Sequence, residues 1–436
     1  MRVAVFEDSA ALNLIPLTYT KAIYDLLVGC RTLLERASLE FGRVDYVFVR
    51  SYLAGFYAKE RGLPTNPRET DDDLLLINPR YIVNQPVVGL LKAKVKEGRP
   101  FMLLHGDDVV GALLPERSAM ELLNSYSYSE ELEHFLKNLE LKFYTLSLES
   151  GEGVENLWDL IEWNEKLLSA DLLDRCGRLE GDISDKAVIL GDKISIMEGA
   201  EIGPYAVIDC RKGPVFIDKR AVVNSFSYIE GPSHIGKDTV VMPGAKLRGG
   251  IVIGPVCRVG GEIEAAVFHG YSNKYHDGFI GHAYVGEWVN LGALTTNSDL
   301  KNTYGTVRVN TVRGREDTCR MKVGAFIGDM AKTSIGTFIY TGKRIGVASH
   351  SHGLVVEDVP SFTIYAKQFG CELLELELES AIRTQKRMMA RRGIPMSEAM
   401  ERLIRDVFRI TVEERQKAGV KQGPLNLTLS PFLQAR

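Results

Sequence analysis

The chain has 436 residues, and 53 lysines and arginines against 57 aspartates and glutamates leave a formal charge of −4, so bulk electrostatics does not point to a nucleic-acid protein. That length predicts two or three domains rather than one. Six cysteines (Cys30, Cys176, Cys210, Cys257, Cys319, Cys371) lack paired spacing, no apolar run approaches a membrane span, and the opening MRVAVF lacks a signal-peptide pattern, so a soluble cytoplasmic protein in a reducing compartment is expected.

Residues 1–165 read as an α/β domain. Strands are predicted at Val3 to Phe6, Val44 to Arg50, Leu74 to Ile77 and Phe101 to Leu104. Helices are predicted at Leu26 to Leu39, Tyr52 to Arg61, Ser118 to Leu123 and Glu130 to Leu139. This alternation implies a mostly parallel sheet, with ligands beyond the carboxyl ends of its strands. Those ends are Glu7-Asp8, Arg50, Asn78 to Arg80 and His105 to Asp108. The first loop holds neither a GxGxxG nor a Walker pattern. Lys21, Arg31 and Arg80 are candidate phosphate contacts, and Asp8, Asp107 or Asp108 candidate magnesium ligands, since magnesium prefers oxygen. Surface or turn-capping roles for these acids are the alternative. A connecting helix is predicted from Asn156 to Leu173, and residues 166–180, which overlap its end, read as the linker.

From Leu190 an aliphatic residue recurs every six positions: Leu190, Ile196, Ile202, Ile208. The rhythm resets by three at Gly213-Pro214. It then runs through Ile217, Val223, Ile229, Ile235, Val241, Leu247, Ile253, Val259 and Ala265. A six-residue period fits neither a helix nor an alternating strand. It predicts a solenoid with three short parallel strands per coil, over residues 181–371.

The rhythm breaks at residues 266–302 and resumes at Phe279, Val285 and Leu291. The break carries His269, Tyr271, Asn273, Lys274, His276 and His282, then Asn290, Asn297, Asp299, Lys301 and Asn302. Packing requires none of these. Imidazoles beside amides and an ammonium suit proton transfer and binding of a polar or anionic substrate. A zinc site, or plain structural hydrogen bonding for each histidine, is the alternative. Asp277 invites a base-and-orienter pairing with His276.

The solenoid resembles the left-handed parallel β-helix of hexapeptide-repeat acyltransferases. With its N-terminal domain, the chain is similar to bifunctional N-acetylglucosamine-1-phosphate uridyltransferase/glucosamine-1-phosphate acetyltransferases. More closely it resembles a divergent branch of sugar nucleotidyltransferase-like proteins that carries segments like NLIPLTYT, LLLIN and the long GYSNKYHDGFIGHAYVGEWVNLGALTTNSDLKN, and the resemblance covers about residues 1–370. It implies that His276 is the general base, that Asn290 lies in the acceptor site, and that Asn297 and Lys301 or Asn302 lie close by. Phe279, Glu264 and Met242 stand where the family has tyrosine, lysine and arginine. In the N-terminal domain it implies nucleotide contacts from Pro16, Thr18 and Lys21. Asn78-Pro79-Arg80 falls at the family's metal-aspartate position, and the matching letters His105-Gly106-Asp107 come one strand later.

The resemblance further implies nucleoside triphosphate, sugar-1-phosphate and acetyl-CoA as substrates, magnesium, and a homotrimer. Lys332 and Lys343 are the candidates for coenzyme A phosphates. Residues 372–436 read as a helical extension and tail, with Lys386, Arg387, Arg391 and Arg392 complementing a helix dipole or forming a basic end for a nucleic acid or an acidic partner. The expected function is sugar nucleotidyl transfer, amino-sugar acetyl transfer, or both. A single-activity acyltransferase and a non-catalytic binding scaffold are the alternatives.

Overall fold

The computed structural model describes residues 1–125, 132, 135–136, 143–145 and 153–425. The chain divides into two compact units. The first comprises Met1–Trp163 with Ser397–Asp406, and the second Asn164–Met396 with Val407–Arg436. The division falls inside the helix Leu157–Leu173. Part of the expected C-terminal extension therefore belongs to the first unit.

The first unit is built on a six-stranded sheet in the order Tyr46–Phe48, Arg2–Phe6, Leu74–Ile77, Asp108–Leu114, Phe101–His105, Phe143–Thr145. Arg2–Phe6 is parallel to both neighbours, whereas Asp108–Leu114 is antiparallel to both of its own. The sheet is thus mostly parallel, as expected, with Asp108–Leu114 its one reversed strand among the described residues. Asp108–Leu114 escapes the sequence reading because Gly106-Asp107, with Gly106 at φ 58°, is a tight hairpin turn and not a ligand loop. The expected helix at Leu26 starts only at Leu33, because Leu27–Val28 and Arg31–Thr32 form a small hairpin first. Thr32 and Glu35 then cap Leu33–Phe41 reciprocally. Of the helix expected over Glu130 to Leu139, only Leu132, Phe135 and Leu136 are described, and the remainder lies outside the described residues. Residues 426–436 of the expected tail lie outside them too.

The second unit is a parallel β-solenoid. Its longest sheet stacks ten parallel strands, from Asp182–Ile183 to Thr363–Tyr365. Ile217 pairs with Ile235 and Ile235 with Ile253, eighteen residues per coil and three strands of six. The aliphatic residues point into one continuous core. Each fully buried Ile or Val contributes about 1.5–3 kcal/mol, and only stacked coils exclude water from it. Glycine follows the inward isoleucine in Ile235-Gly236 and Ile253-Gly254 for a steric reason. A Cβ on Gly254 would lie 1.8 Å from the carbonyl oxygen of His269 in the next coil. Coil corners require the left-handed region, which even Val256 adopts at φ 59°.

Three details depart from the period. Ile189, which pairs with Ile208, packs against the core at the first coil in place of Leu190. Ile253 pairs with Phe268 and Phe268 with Val285, so the coils shorten to fifteen and then seventeen residues. Ala266, not Ala265, consequently joins the core, and Ala265 forms a corner at φ 45°. Likewise Ile280 fills the core position assigned to Phe279. Between the late coils, Arg308–Thr311 and Gly314–Asp317 form an antiparallel hairpin.

Candidate functional site

Where coils shorten, five strands of the longest sheet align polar residues in one outward row. Arg258 pairs with Asn273, Asn273 with Asn290, Asn290 with Lys332, and Lys332 with His350. Alternation sends the next residue of each strand inward, so Val259, Leu291 and Thr333 are buried. The asparagines are wired together: Asn273 Nδ2 donates to Asn290 Oδ1 at 3.2 Å.

The helix Leu378–Ala390 and the two arginines after it complete the site. A cavity of about 470 Å³ is lined by Arg258, Asn273, Tyr275, His276, Asn290, Ile335, Arg391 and Arg392, among others. A second, of about 250 Å³, shares Asn273, Asn290, Arg391 and Arg392 and adds Lys332, Thr384, Arg387 and Met388. Sequence reasoning missed Arg391 and Arg392 as site residues. The run of basic residues ending the helix was the available signal, and it was read as a dipole complement.

His276 sits exposed on the turn between Asn273–Lys274 and Phe279–Gly281, with Tyr275 edge-on at 4.9 Å. Its ring has no hydrogen bond to another described residue, so Asp277 does not orient it. Two other histidines are the paired ones. His282 Nδ1 lies 2.7 Å from Asp299 Oδ2, and His269 Nδ1 lies 3.0 Å from Glu287 Oε1. Burial alone would raise Asp299, but the hydrogen bond with His282, the charge of His282 and that of Lys322 hold it below the usual carboxylate range.

The other expected acceptor contacts are mostly structural. Lys274 takes an inward position opposite Val259, is fully buried, and donates through Nζ to the carbonyl of His276. It holds the turn that carries His276 rather than facing a substrate. Burial pushes its ammonium down to about 8, with Asp277 opposing. Asn297 is buried and closes a ladder gap: Oδ1 accepts from Gly281 N at 3.0 Å and Nδ2 donates to Gly281 O at 2.9 Å. Lys301 donates to the Thr306 carbonyl at 2.8 Å, and Asn302 lies exposed on the same turn. Tyr271 stacks on Trp288 at 4.4 Å. Lys332 faces the smaller cavity, donates to the Met330 carbonyl at 2.7 Å, and is pushed down to about 8 by burial. Lys343 lines neither cavity. Glu264, in the family's lysine position, is neutralised by Arg248 at 3.2 Å and Lys322 at 3.4 Å.

In the first unit, the expected nucleotide contacts are held inside the fold. Arg80 is fully buried and its guanidinium is committed to Asp8 and to Asp108, the latter at 2.7 Å. Asn78 donates to the same Asp8 at 2.7 Å. Neither is presented to a phosphate. Pro16, Thr18 and Lys21 lie in a buried segment. Thr18 donates to the Ala11 carbonyl at 2.6 Å, and Arg50, paired with Glu7 at 2.9 Å, donates to the carbonyls of Thr18 and Lys21. Asp107 stands exposed at the hairpin turn, while Asp108 turns back to Arg80 and Tyr81. Among the described residues no cluster of three His, Cys, Asp or Glu side chains is placed to hold a metal, zinc included.

Comparison with known proteins matches residues 3–175 to the sugar nucleotidyl transferase family. The bifunctional protein GlmU of Nitratidesulfovibrio vulgaris (strain DP4) is 30% identical over 245 residues, covering 50% of this chain and 49% of that protein. The bifunctional sugar-1-phosphate nucleotidylyltransferase/acetyltransferase of Sulfurisphaera tokodaii is 34% identical over 137 residues, covering 31% of this chain and 34% of that one. The chain thus spans at most about half the length of these relatives. Among solved structures, the UDP-N-acetylglucosamine acyltransferase of Francisella novicida aligns at 17% identity and a TM-score of 0.33, covering 58% of this chain and 98% of that one. The chain is therefore similar to GlmU-like bifunctional proteins, at moderate identity.

Proposed function

We propose that the chain is a transferase of nucleotide-sugar metabolism whose groove beside His276 moves an acetyl group from acetyl-CoA to the amine of a sugar phosphate. The carrying observation is the position of His276, exposed over the cavity with its ring free of internal hydrogen bonds. In this reading His276 takes a proton from the amine as the nitrogen attacks the thioester carbonyl. The carbon–sulfur bond then breaks and the thiolate leaves. Asn290 and Asn273 fix the acceptor, and Lys332 meets the acyl donor. A histidine acting as base contributes about 10²–10⁴-fold.

The test offers acetyl-CoA with glucosamine-1-phosphate and other amino sugars and reads free thiol. His276→Ala is expected to lose at least about 100-fold. Undiminished thiol release in that variant would remove His276 from the role. We also propose a trimer in a reducing cytoplasm. Leu294, Ile335, Phe338 and Tyr340 leave large apolar surface exposed on the late coils, and all six cysteines are unpaired. Sedimentation tests the trimer. No helix among the described residues is long and apolar enough to cross a membrane.

The family match over residues 3–175 favours a second activity, nucleotidyl transfer to a sugar-1-phosphate. Among the described residues the donor set does not assemble a magnesium cage. Magnesium arriving on a triphosphate needs only one or two carboxylates, and Asp107 is the exposed candidate. Pyrophosphate release from a panel of triphosphates and sugar-1-phosphates tests this reading.

A further inference from the structure

Two guanidinium groups face the larger cavity without a counter-ion. Arg258 projects from the coil and Arg392 from the end of the helix Leu378–Ala390, with Arg391 beside them. None of these three, nor Arg387, makes an ion pair with a described carboxylate. Arg258 Nη1 and Arg392 Nε are shut off from solvent and have no hydrogen-bond partner among the described residues. A buried donor left unmade costs about 1–3 kcal/mol, more when charged. Arg392 is nevertheless held in place, because its Nη2 donates to Asn273 Oδ1 at 2.7 Å. Burial, with the charges of Arg258 and Arg391, pushes Arg392 below the ordinary guanidinium value. Such an arrangement is costly alone and favourable around an anion.

We infer that Arg258 and Arg392, with Arg391 at the rim, bind a phosphate group carried by one of the substrates, between the coil and the C-terminal helix. The inference rests on reading the groove as the acyl-transfer site. A phosphate dianion supplies the acceptors that Arg258 lacks and that Arg392 has only from Asn273, and its several oxygens can meet two guanidinium groups at once. It would also supply, from a different element, the anion recognition absent where Glu264 replaces lysine. The ligand phosphate belongs either to the acceptor sugar or to coenzyme A.

Calorimetry on the full chain distinguishes these. The probes are inorganic phosphate, glucosamine-1-phosphate, coenzyme A and dephospho-coenzyme A. Arg258→Met and Arg392→Met are each expected to weaken phosphate binding at least tenfold. Arg258→Met is also expected to leave the Tm of the unliganded protein unchanged or higher, because it removes an orphaned charge. A lowered Tm with phosphate affinity kept within twofold would overturn the inference and make the arginines structural. Selective loss for glucosamine-1-phosphate assigns the site to the acceptor. Loss for coenzyme A but not dephospho-coenzyme A assigns it to the 3′-phosphate. Binding is read without turnover, so full activity in His276→Ala would sink the base assignment while leaving this inference standing or falling on its own data.

Discussion

The buried Arg50 and Arg80 of the first unit and the cavity-lining Arg258 and Arg392 of the solenoid unit are answered in opposite ways, although the solenoid unit's own buried arginine, Arg415, is paired with Glu375 at 2.9 Å. In the first, Arg50 sits against Glu7, and Arg80 against Asp8 and Asp108. Each guanidinium has its carboxylate, and the pairs tie loops to the sheet. In the solenoid unit, Arg258 and Arg392 share a cavity with no acid to answer them. A buried charge with a partner belongs to the fold, and one without a partner beside a cavity points to a ligand.

The largest expected effect separates these cases directly. Arg80→Met leaves Asp8 buried and uncompensated, so urea unfolding should report a loss of about 3–5 kcal/mol in the first unit. Arg258→Met should cost nothing comparable. Equal losses for both variants would erase the distinction.

A second prediction sharpens the criterion. His234 is buried, both ring nitrogens lack partners, and the ring stacks on Phe216 at 5.7 Å. Burial, aided by the charge of Arg175 and opposed by Asp218, pushes the imidazole down to about 4. The folded chain therefore keeps it neutral, whereas the unfolded chain protonates it near 6.5. Stability is complete above about pH 6.5 and falls as pH drops toward 4, by about 3 kcal/mol. His234→Leu should flatten that part of the stability curve. His234 faces no cavity described here and adopts a neutral form, so lack of a partner alone does not mark a site. Permanent charge and open space are also needed.

Lys274 tests the intermediate case, a cation whose single contact is a backbone carbonyl. Its folded value near 8 lies below the unfolded value of about 10.4. The unfolded chain holds more protons between these limits, so stability should rise with pH across that window, by up to about 3 kcal/mol relative to Lys274→Met. The same variant should lower acetyl transfer by about tenfold, because the turn carrying His276 loses its anchor. A variant with wild-type turnover would show that the turn holds without it.

The six-residue period made the solenoid legible because every inward position obeys one packing rule. It failed at Ala265 and Phe279, where coils of fifteen and seventeen residues shift the register. The interruption around His276 was legible because packing needs no such residues there. The second wall of the groove was not, since periodicity says nothing about what covers an outward row. Lys274 and Asn297 were assigned to substrate for the same reason: a polar residue in an aliphatic rhythm reads as exposed until the register places it inside. In the first unit, Asn78 and Arg80 lie at a strand end, where ligands bind in such sheets, but the antiparallel Asp108–Leu114 brings Asp108 back to close that end.

Glu264 carries the smallest expected effect and the sharpest contrast with Arg258. It departs from the family's lysine, and a carboxylate there reads as hostile to a phosphate. Yet its charge is answered by Arg248 and Lys322 at a partly exposed position. Such pairs are worth about 0–1 kcal/mol. Glu264→Gln should change stability by no more than that. It should leave phosphate affinity within twofold, because the repulsion is already cancelled locally. A large gain in phosphate affinity in Glu264→Gln would move the anion site from the helix-facing row to the corner around Glu264, and Arg258 and Arg392 would then need another ligand to explain them.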